Sequence, residues 1–131
     1  LFKENEKMKK LLYTLMFLIS LNSFSQDYSI NVSADSRNDY NLNGIDSRGD
    51  ISGLDINLVF DTGSEIIFNV NSPGHPFAIK SQPGTGKKNI IKEVQNNNIS
   101  KGVVKWAPVS PGTYYYQCIK HKNMYGKIII K

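Results

Sequence analysis

Short runs in which apolar and polar residues alternate follow one another along most of the chain, separated by Gly, Asn, Asp and Pro. Alternation with a period of two is typical of β-strands that bury one face, and no useful length of chain places apolar residues at helical spacing. Strands this short, at this spacing, indicate a two-sheet sandwich or a small barrel. We predict about eight strands, over residues 28–32, 56–60, 65–71, 75–79, 90–94, 103–106, 113–119 and 127–131.

Two polar segments between these runs are predicted to be connections. Residues 61–64, Asp-Thr-Gly-Ser, lie between two alternating runs and predict a hairpin. Residues 95–98, Gln-Asn-Asn-Asn, offer nothing apolar to bury and are predicted to be a surface loop. The pattern therefore predicts a single all-β domain over residues 26–131.

The beginning of the chain has a different pattern. Two lysines after Met8 precede a largely apolar run, residues 11–21, which is followed by mostly small polar residues up to Ser25. A basic start, a short apolar core and small residues are typical of a secretory signal peptide, and the run is shorter than the roughly 20 residues of a bilayer span. We interpret residues 8–25 as a signal peptide, with a membrane anchor or a buried helix as the alternatives.

The signal peptide sets the expected boundaries and destination of the mature protein. Residues 1–7 are interpreted as leader sequence outside the fold, and cleavage is expected at Ser25 or Gln26. The domain 26–131 is then expected to be exported, periplasmic or secreted, with no stable insertion in a membrane after cleavage. Asn-x-Ser patterns in this domain matter only in a eukaryotic secretory route.

Composition and charge narrow the class of function. The chain has 131 residues, 40% of them hydrophobic and 11% aromatic, which fits one core and leaves no room for two. Residues 26–131 carry 12 basic against 9 acidic residues, an excess of +3 that is too weak to suggest a nucleic-acid partner. We find no paired carboxylates with site-like spacing, no nucleophile motif and no complete phosphate-binding loop, so the sequence predicts a protein that is not an enzyme.

Cys118 is the only cysteine, which excludes an intrachain disulfide and any zinc site that needs two thiolates. Tyr114, Tyr116 and Cys118 share one face of their predicted strand, and the two aromatics indicate that this face belongs to the core. Alone, a cysteine in this position is most often a small buried hydrophobe. A free thiol in an exported protein is less common, which favours a chemical role.

Three further soft ligands accompany this cysteine. The chain must turn after Cys118, and His121 and Met124 follow it at offsets of +3 and +6, so a tight loop can direct all three to one spot. His75 lies 43 residues before Cys118, at the start of its own short strand. Two imidazoles, a thiolate and a weak thioether suit a copper ion that cycles between Cu(I) and Cu(II), whereas zinc prefers four strong ligands.

Each of these residues also has an ordinary interpretation. His121, between two lysines, can be a loop histidine, Met124 can fill the core, and His75 can shape a turn before a proline. An immunoglobulin-like sandwich would also explain a Tyr two residues before a Cys, but it would need a second Cys. The joint pattern is what favours a copper site.

The same residues are similar to motifs of the cupredoxins, the plastocyanin-like blue copper proteins. The resemblance is carried by residues 74–77, Gly-His-Pro-Phe, and by residues 111–118, Pro-Gly-Thr-Tyr-Tyr-Tyr-Gln-Cys, with His121, Met124 and Gly126 after them. The spacing Cys-x2-His-x2-Met resembles the short-loop amicyanin-type members. The resemblance implies a Greek-key β-sandwich with one type 1 copper ion per chain that shuttles single electrons between redox partners. The implied ligands are His75, Cys118, His121 and Met124.

The resemblance has one departure and also implies where partners dock. In many cupredoxins an Asn follows the first ligand His and ties the two ligand loops together, but Pro76 stands there in this chain. By resemblance His121 reaches the surface through an apolar patch and is the electron port. Lys120 and Lys122 flank this port, either as part of a solvated loop or to steer an acidic partner into a weak, transient complex. We expect a monomer.

Two other functions remain open on these residues. A copper-handling protein that stores or delivers the ion, in the periplasm for example, would use the same ligands without redox turnover. A metal-free sandwich used for adhesion would not need them, so Cys118→Ser would leave its function untouched. An intense blue charge-transfer band would favour the electron carrier over both.

Overall fold

The computed structural model describes residues 5–11 and 26–131. Residues 5–11 are helical and exposed. Residues 1–4 and 12–25 lie outside the described residues, so the leader and the signal peptide, residues 1–7 and 8–25, stay predictions. Among the described helices, none has the length and apolar character that crossing a bilayer requires.

The described residues form nine strands. In chain order they are β1 (Asp27–Ser33), β2 (Asn41–Asp46), β3 (Gly49–Leu54), β4 (Leu58–Phe60), β5 (Glu65–Asn71), β6 (Phe77–Lys80), β7 (Lys101–Trp106), β8 (Gly112–Cys118) and β9 (Tyr125–Ile130). One sheet has the order β3-β2-β1-β5-β7 and the other β4-β9-β8-β6. β1 and β5 pair in parallel, as do β4 and β9, and the other pairs are antiparallel.

The inner faces of the two sheets meet in an aromatic core. Every second residue of β1 and β5 is buried, as the alternating pattern predicts, and their register sets Ile30 beside Phe68. Phe68 of one sheet contacts Phe77 of the other, with ring centroids 5.2 Å apart. Phe77 in turn stacks on Tyr116 of β8, at 5.6 Å. The predicted all-β Greek-key sandwich is confirmed, and its core extends up to Cys118.

The β2–β3 hairpin is not visible in the sequence pattern. Nine strands stand where about eight are predicted because this hairpin adds two strands, while the strand predicted over residues 90–94 does not form. The two strands are polar and glycine-containing, and β3 is an edge strand with no fully buried residue. Backbone pairing, of β2 with β1 and of β3 with β2, therefore maintains them in the sheet, and Leu42 is the one apolar side chain that they bury fully. Ser47 and Arg48 form the two-residue turn between the paired residues Asp46 and Gly49.

The hairpin predicted at residues 61–64 is wrong. The segment does turn, but it carries the chain from β4 in one sheet to β5 in the other. All three residues of β4 are buried, so this strand needs cover on both faces, and it pairs in parallel with β9 instead. A local turn signal cannot specify which strands pair.

The strand predicted over residues 90–94 is also wrong. Ile90 makes an isolated bridge to Lys80, and the segment packs beside β6 rather than extending a sheet. Asn97, in the loop predicted over residues 95–98, is half-buried and bonds through its side chain to both the N–H and the C=O of Ile79, at 2.7 and 2.9 Å. This cover explains why all four residues of β6 are buried.

Asp46, at the end of β2, attaches the hairpin turn to β4. Its buried carboxylate accepts hydrogen bonds from the Arg48 guanidinium at 2.7 Å and from the backbone N–H of Val59 at 3.0 Å. Burial by itself would raise the pKa of this carboxyl, but the hydrogen bonds from Arg48 and Val59 outweigh burial and lower the pKa of Asp46 below its ordinary value.

Asp46→Ala is expected to lower the free energy of unfolding by about 1–3 kcal/mol at neutral pH, because the Val59 N–H loses its acceptor. A depressed carboxyl pKa stabilises the fold above the ordinary pKa, and this contribution is lost as the pH falls through the lower folded-state pKa. Urea unfolding should therefore show the difference between variant and wild type shrinking below about pH 4. Asp50→Ala, at an exposed acid on β3, is the control. Equal stability of wild type and Asp46→Ala at neutral pH would contradict this account.

Candidate metal centre

Three of the four predicted ligands come together where β6 begins and β8 ends. The Nδ1 atom of His75 lies 3.3 Å from Nδ1 of His121 and 3.9 Å from Sγ of Cys118, and this Sγ lies 3.5 Å from Nδ1 of His121. Antiparallel pairing sets Phe77 opposite Cys118, which explains how residues so distant in sequence meet. Cys118 is fully buried and the two histidines are half-buried.

The loop that carries His75 is held by its neighbours. The N–H of His75 donates to the carbonyl of Ser72 at 2.9 Å, and the Ser72 hydroxyl donates back to the carbonyl of His75 at 2.8 Å. The Tyr40 hydroxyl donates to the carbonyls of Pro76, at 2.9 Å, and His75, at 3.2 Å. Burial, and then the Cys118 thiol, raise the pKa of Tyr40, so its hydroxyl keeps the proton that it donates. Backbone carbonyls therefore anchor this loop, although Pro76 lacks a polar side chain.

The ligand loop, residues 118–124, consists of two consecutive turns. The N–H of His121 bonds to the carbonyl of Cys118 at 3.4 Å, and the N–H of Met124 bonds to the carbonyl of His121 at 3.2 Å. The N–H of Cys118 bonds to the carbonyl of Met124 at 2.9 Å and closes the loop. The offsets of +3 and +6 thus correspond to the ends of two turns of four residues each, which share His121.

Met124 is the last residue of the ligand loop. Its side chain is fully buried and belongs to the hydrophobic core cluster. The structure therefore places Met124 beside the site through the loop closure at Cys118, while its role as a ligand stays a prediction.

Gln117 makes several hydrogen bonds to this loop that no feature of the sequence predicts. It lies between Tyr116 and Cys118 on β8, and its side chain is fully buried. Its Nε2 donates to the carbonyls of Cys118 at 2.9 Å and His121 at 2.8 Å. A polar residue facing away from the core side of a strand is expected in solvent, so burial of Gln117 is not predictable from the alternation.

The three ligand atoms have the spacing of a metal site. Bonds of about 2.0–2.3 Å, as zinc makes to nitrogen and sulfur, separate ligand atoms by about 3.5–3.8 Å when the angles are near 120°. The observed separations of 3.3, 3.5 and 3.9 Å fit this trigonal arrangement. Partial burial, and then the charges of His121 and Lys120, lower the pKa of His75, which favours the neutral imidazole that a metal needs. The donor set of one thiolate and two imidazoles fits a soft or borderline ion.

His121 also borders an open cleft of about 550 Å³. Lys120 and Lys122, the flanking residues named from the sequence, are both exposed on its rim. The side of His121 that opens on the cleft is polar and charged, in contrast to the apolar patch that the resemblance implies. The lining consists of Arg37, Asn38, Asp39, Lys120, His121, Lys122 and Asn123.

Comparison with known proteins bears on the fold. No protein-family model and no curated protein matches the sequence. Among solved structures, rusticyanin from Thiobacillus ferrooxidans is 21% identical over 82% of this chain and 79% of its own, with a TM-score of 0.53. Another structure of the copper protein rusticyanin is 18% identical over 82% and 80%, with a TM-score of 0.54, and reduced rusticyanin is 17% identical over 83% and 82%, with a TM-score of 0.51. This chain therefore has the fold of rusticyanin, which is the cupredoxin fold that its own motifs predict.

Proposed function

We propose that this chain is an exported blue copper protein that carries single electrons between redox partners. The observation that carries the proposal is the cluster of His75, Cys118 and His121, whose ligand atoms all lie within 4.8 Å of one another. The shared fold with the copper protein rusticyanin supports it. Export rests on the signal-peptide pattern of residues 8–25.

One copper ion per chain fits this donor set best. His75, Cys118 and His121 would be the strong ligands, with Met124 as a weak fourth, and this combination suits both Cu(I) and Cu(II). When bound, copper would supply the exchange of one electron between these two states. The protein would contribute a rigid set of ligands, because Cys118 lies on a paired strand and the turns after it are closed by backbone hydrogen bonds. Ligands held in this way need little rearrangement when the oxidation state changes.

His121 is the proposed port for the electron, and the charges around it define the partner. It is the cluster residue that borders the open cleft. Arg37, Lys120 and Lys122 line the same cleft together with one acid, Asp39, and none of these cations forms an ion pair within the part of the chain that is described. Unpaired positive charge of this kind attracts an acidic redox partner and raises the rate of encounter in a transient complex.

Charge reversal at the port tests this steering. The double variant Lys120→Glu and Lys122→Glu is expected to slow oxidation of the reduced copper protein by anionic ferricyanide by about 10-fold at low salt. Oxidation by a cationic cobalt(III) phenanthroline complex should become faster, and both effects should vanish at high salt. Lys87→Glu with Lys88→Glu, an exposed pair outside the cleft lining, is the matched control. Identical rates in the two double variants would remove the steering role.

Copper titration tests the function itself. Addition of cupric ion to the metal-free protein is expected to produce an intense blue band and the electron paramagnetic resonance spectrum of a copper thiolate site. The colour should disappear on reduction and return on oxidation without loss of metal. A colourless protein that hands Cu(I) to an acceptor would instead establish copper delivery.

A further inference from the structure

A buried side-chain amide joins the ligand loop to the rest of the sandwich. The Nε2 group of Gln117 has two hydrogens, and its shortest contacts are the carbonyl oxygens of Cys118 and His121, at 2.9 and 2.8 Å. The carbonyls of Met124 and Lys122 lie farther away, at 3.3 and 3.4 Å. One amide group thus contacts the backbone of all three predicted ligands in the loop.

The orientation of this amide is determined by its surroundings. Its Oε1 accepts a hydrogen bond from the backbone N–H of Gly84 at 2.9 Å. A flipped amide would place Oε1 against the carbonyl oxygens of the ligand loop and would place Nε2 against an N–H donor. Only one orientation of Gln117 therefore satisfies both sides, so the loop and the Gly84 segment have a defined connection.

The segment on the other side of Gln117 is itself anchored. The buried ammonium group of Lys80 donates to the carbonyls of Gly84 at 2.6 Å and Gly86 at 3.1 Å. The N–H of Gly86 bonds to the carbonyl of Ile119, next to Cys118, at 2.8 Å. The amide of Gln117 is consequently attached to a segment that is tied to both β6 and the end of β8.

We propose that Gln117 is a positioning residue that holds the ligand loop in the shape required for metal binding. The Asn tie of many cupredoxins is replaced by Pro76 here, and on the Cys118 side of the site the contacts of Gln117 supply a comparable link. Without this amide, the carbonyls of Cys118 and His121 each lose their shorter hydrogen bond and keep only the turn N–H donors, at 3.4 and 3.2 Å, so the two turns can relax. The copper part of the proposal rests on the proposed function, whereas the loop geometry does not.

Gln117→Met removes the hydrogen bonds at nearly constant length, and Gln117→Glu keeps an acceptor for Gly84 but removes the donors. In the metal-free full chain, amide exchange of His121 and Met124 is expected to be about 10-fold faster in both variants, with β9 amides unchanged. Cu(I) affinity, measured by competition with a chelator, is expected to fall by about 10- to 100-fold. The copper hyperfine splitting in the electron paramagnetic resonance spectrum of the Cu(II) form should change as well. Gln95→Glu, at an exposed glutamine, should match the wild type in every measurement.

Several results would overturn the proposal. Unchanged amide hydrogen exchange of the ligand loop in Gln117→Met would do so. Faster amide exchange with unchanged Cu(I) affinity and spectra would also do so, because the loop would then not need Gln117 in order to bind metal. If neither variant folds, side-chain amide exchange in the wild type decides: Gln117 must exchange far more slowly than Gln95. A wild type that binds no copper would refute the proposed function, while the metal-free exchange would still test the role of Gln117.

Discussion

Cys118→Ser is expected to abolish the blue band of the copper-loaded protein and to weaken Cu(I) binding by more than about 100-fold, since loss of a residue that merely supports a ligand already costs 10–100-fold. Such a band would arise from charge transfer between the thiolate sulfur of Cys118 and Cu(II), which a hydroxyl cannot replace. Serine is nearly isosteric, and the Nδ1 atom of His121 near Sγ, at 3.5 Å, can partner its hydroxyl. The sandwich should therefore still fold, which far-ultraviolet circular dichroism can check beside the visible and paramagnetic resonance spectra.

Met124→Leu is the informative companion to this variant. Leucine keeps the buried volume but removes the thioether, so the blue colour should remain while the reduction potential changes, as expected for a weak fourth ligand. A Cys118→Ser protein that stays blue would exclude the thiolate as the source of the band. An unchanged potential in Met124→Leu would exclude a ligand role for Met124.

Gly126→Ala is expected to destabilise the protein by about 2–4 kcal/mol, although it adds a single methyl group. A Cβ atom at position 126 would overlap the hydroxyl and ring of Tyr116 across the β8–β9 pair. Tyr116 is fully buried, and its hydroxyl donates to the carbonyl of Ile56 at 2.6 Å, so the ring cannot move aside without losing packing and a hydrogen bond. Urea denaturation measures the loss.

A double-mutant cycle separates this clash from a backbone effect. Tyr116→Leu is itself destabilising, because it removes the stacked contact with Phe77 and leaves a cavity. In the Tyr116→Leu background, Gly126→Ala should cost much less than it does alone, since the added methyl group then has space. Additive effects of the two substitutions would show that Tyr116 is not the cause.

The structure gives a physical reason for the glycine at position 126. The sequence places it eight residues after Cys118, as part of the resemblance to the cupredoxins. Its structural reason is the Tyr116 ring, which lies against its backbone. The predicted core face of Tyr116 and Cys118 is confirmed by their burial, so this part of the site follows from strand alternation alone.

The sequence by itself determined the local features of this protein, which are most of its strands and the spacing of residues within one loop. Alternation predicts the strands that bury one face, and the spacing of Cys118, His121 and Met124 corresponds to two consecutive turns. The prediction of copper rests on the donor atoms, which are a property of the residues and not of their arrangement.

Only the tertiary structure decided which distant segments meet. Parallel pairing with β9 overrides the hairpin signal after β4, and the polar β2–β3 hairpin is maintained by pairing with β1. The burial of Gln117 and the approach of Arg37 to the cleft beside His121 depend on segments far away in the chain. The physical reason is that the alternation within a strand encodes which of its faces is buried in the core. The cover on its other face comes from chain segments that are distant in sequence.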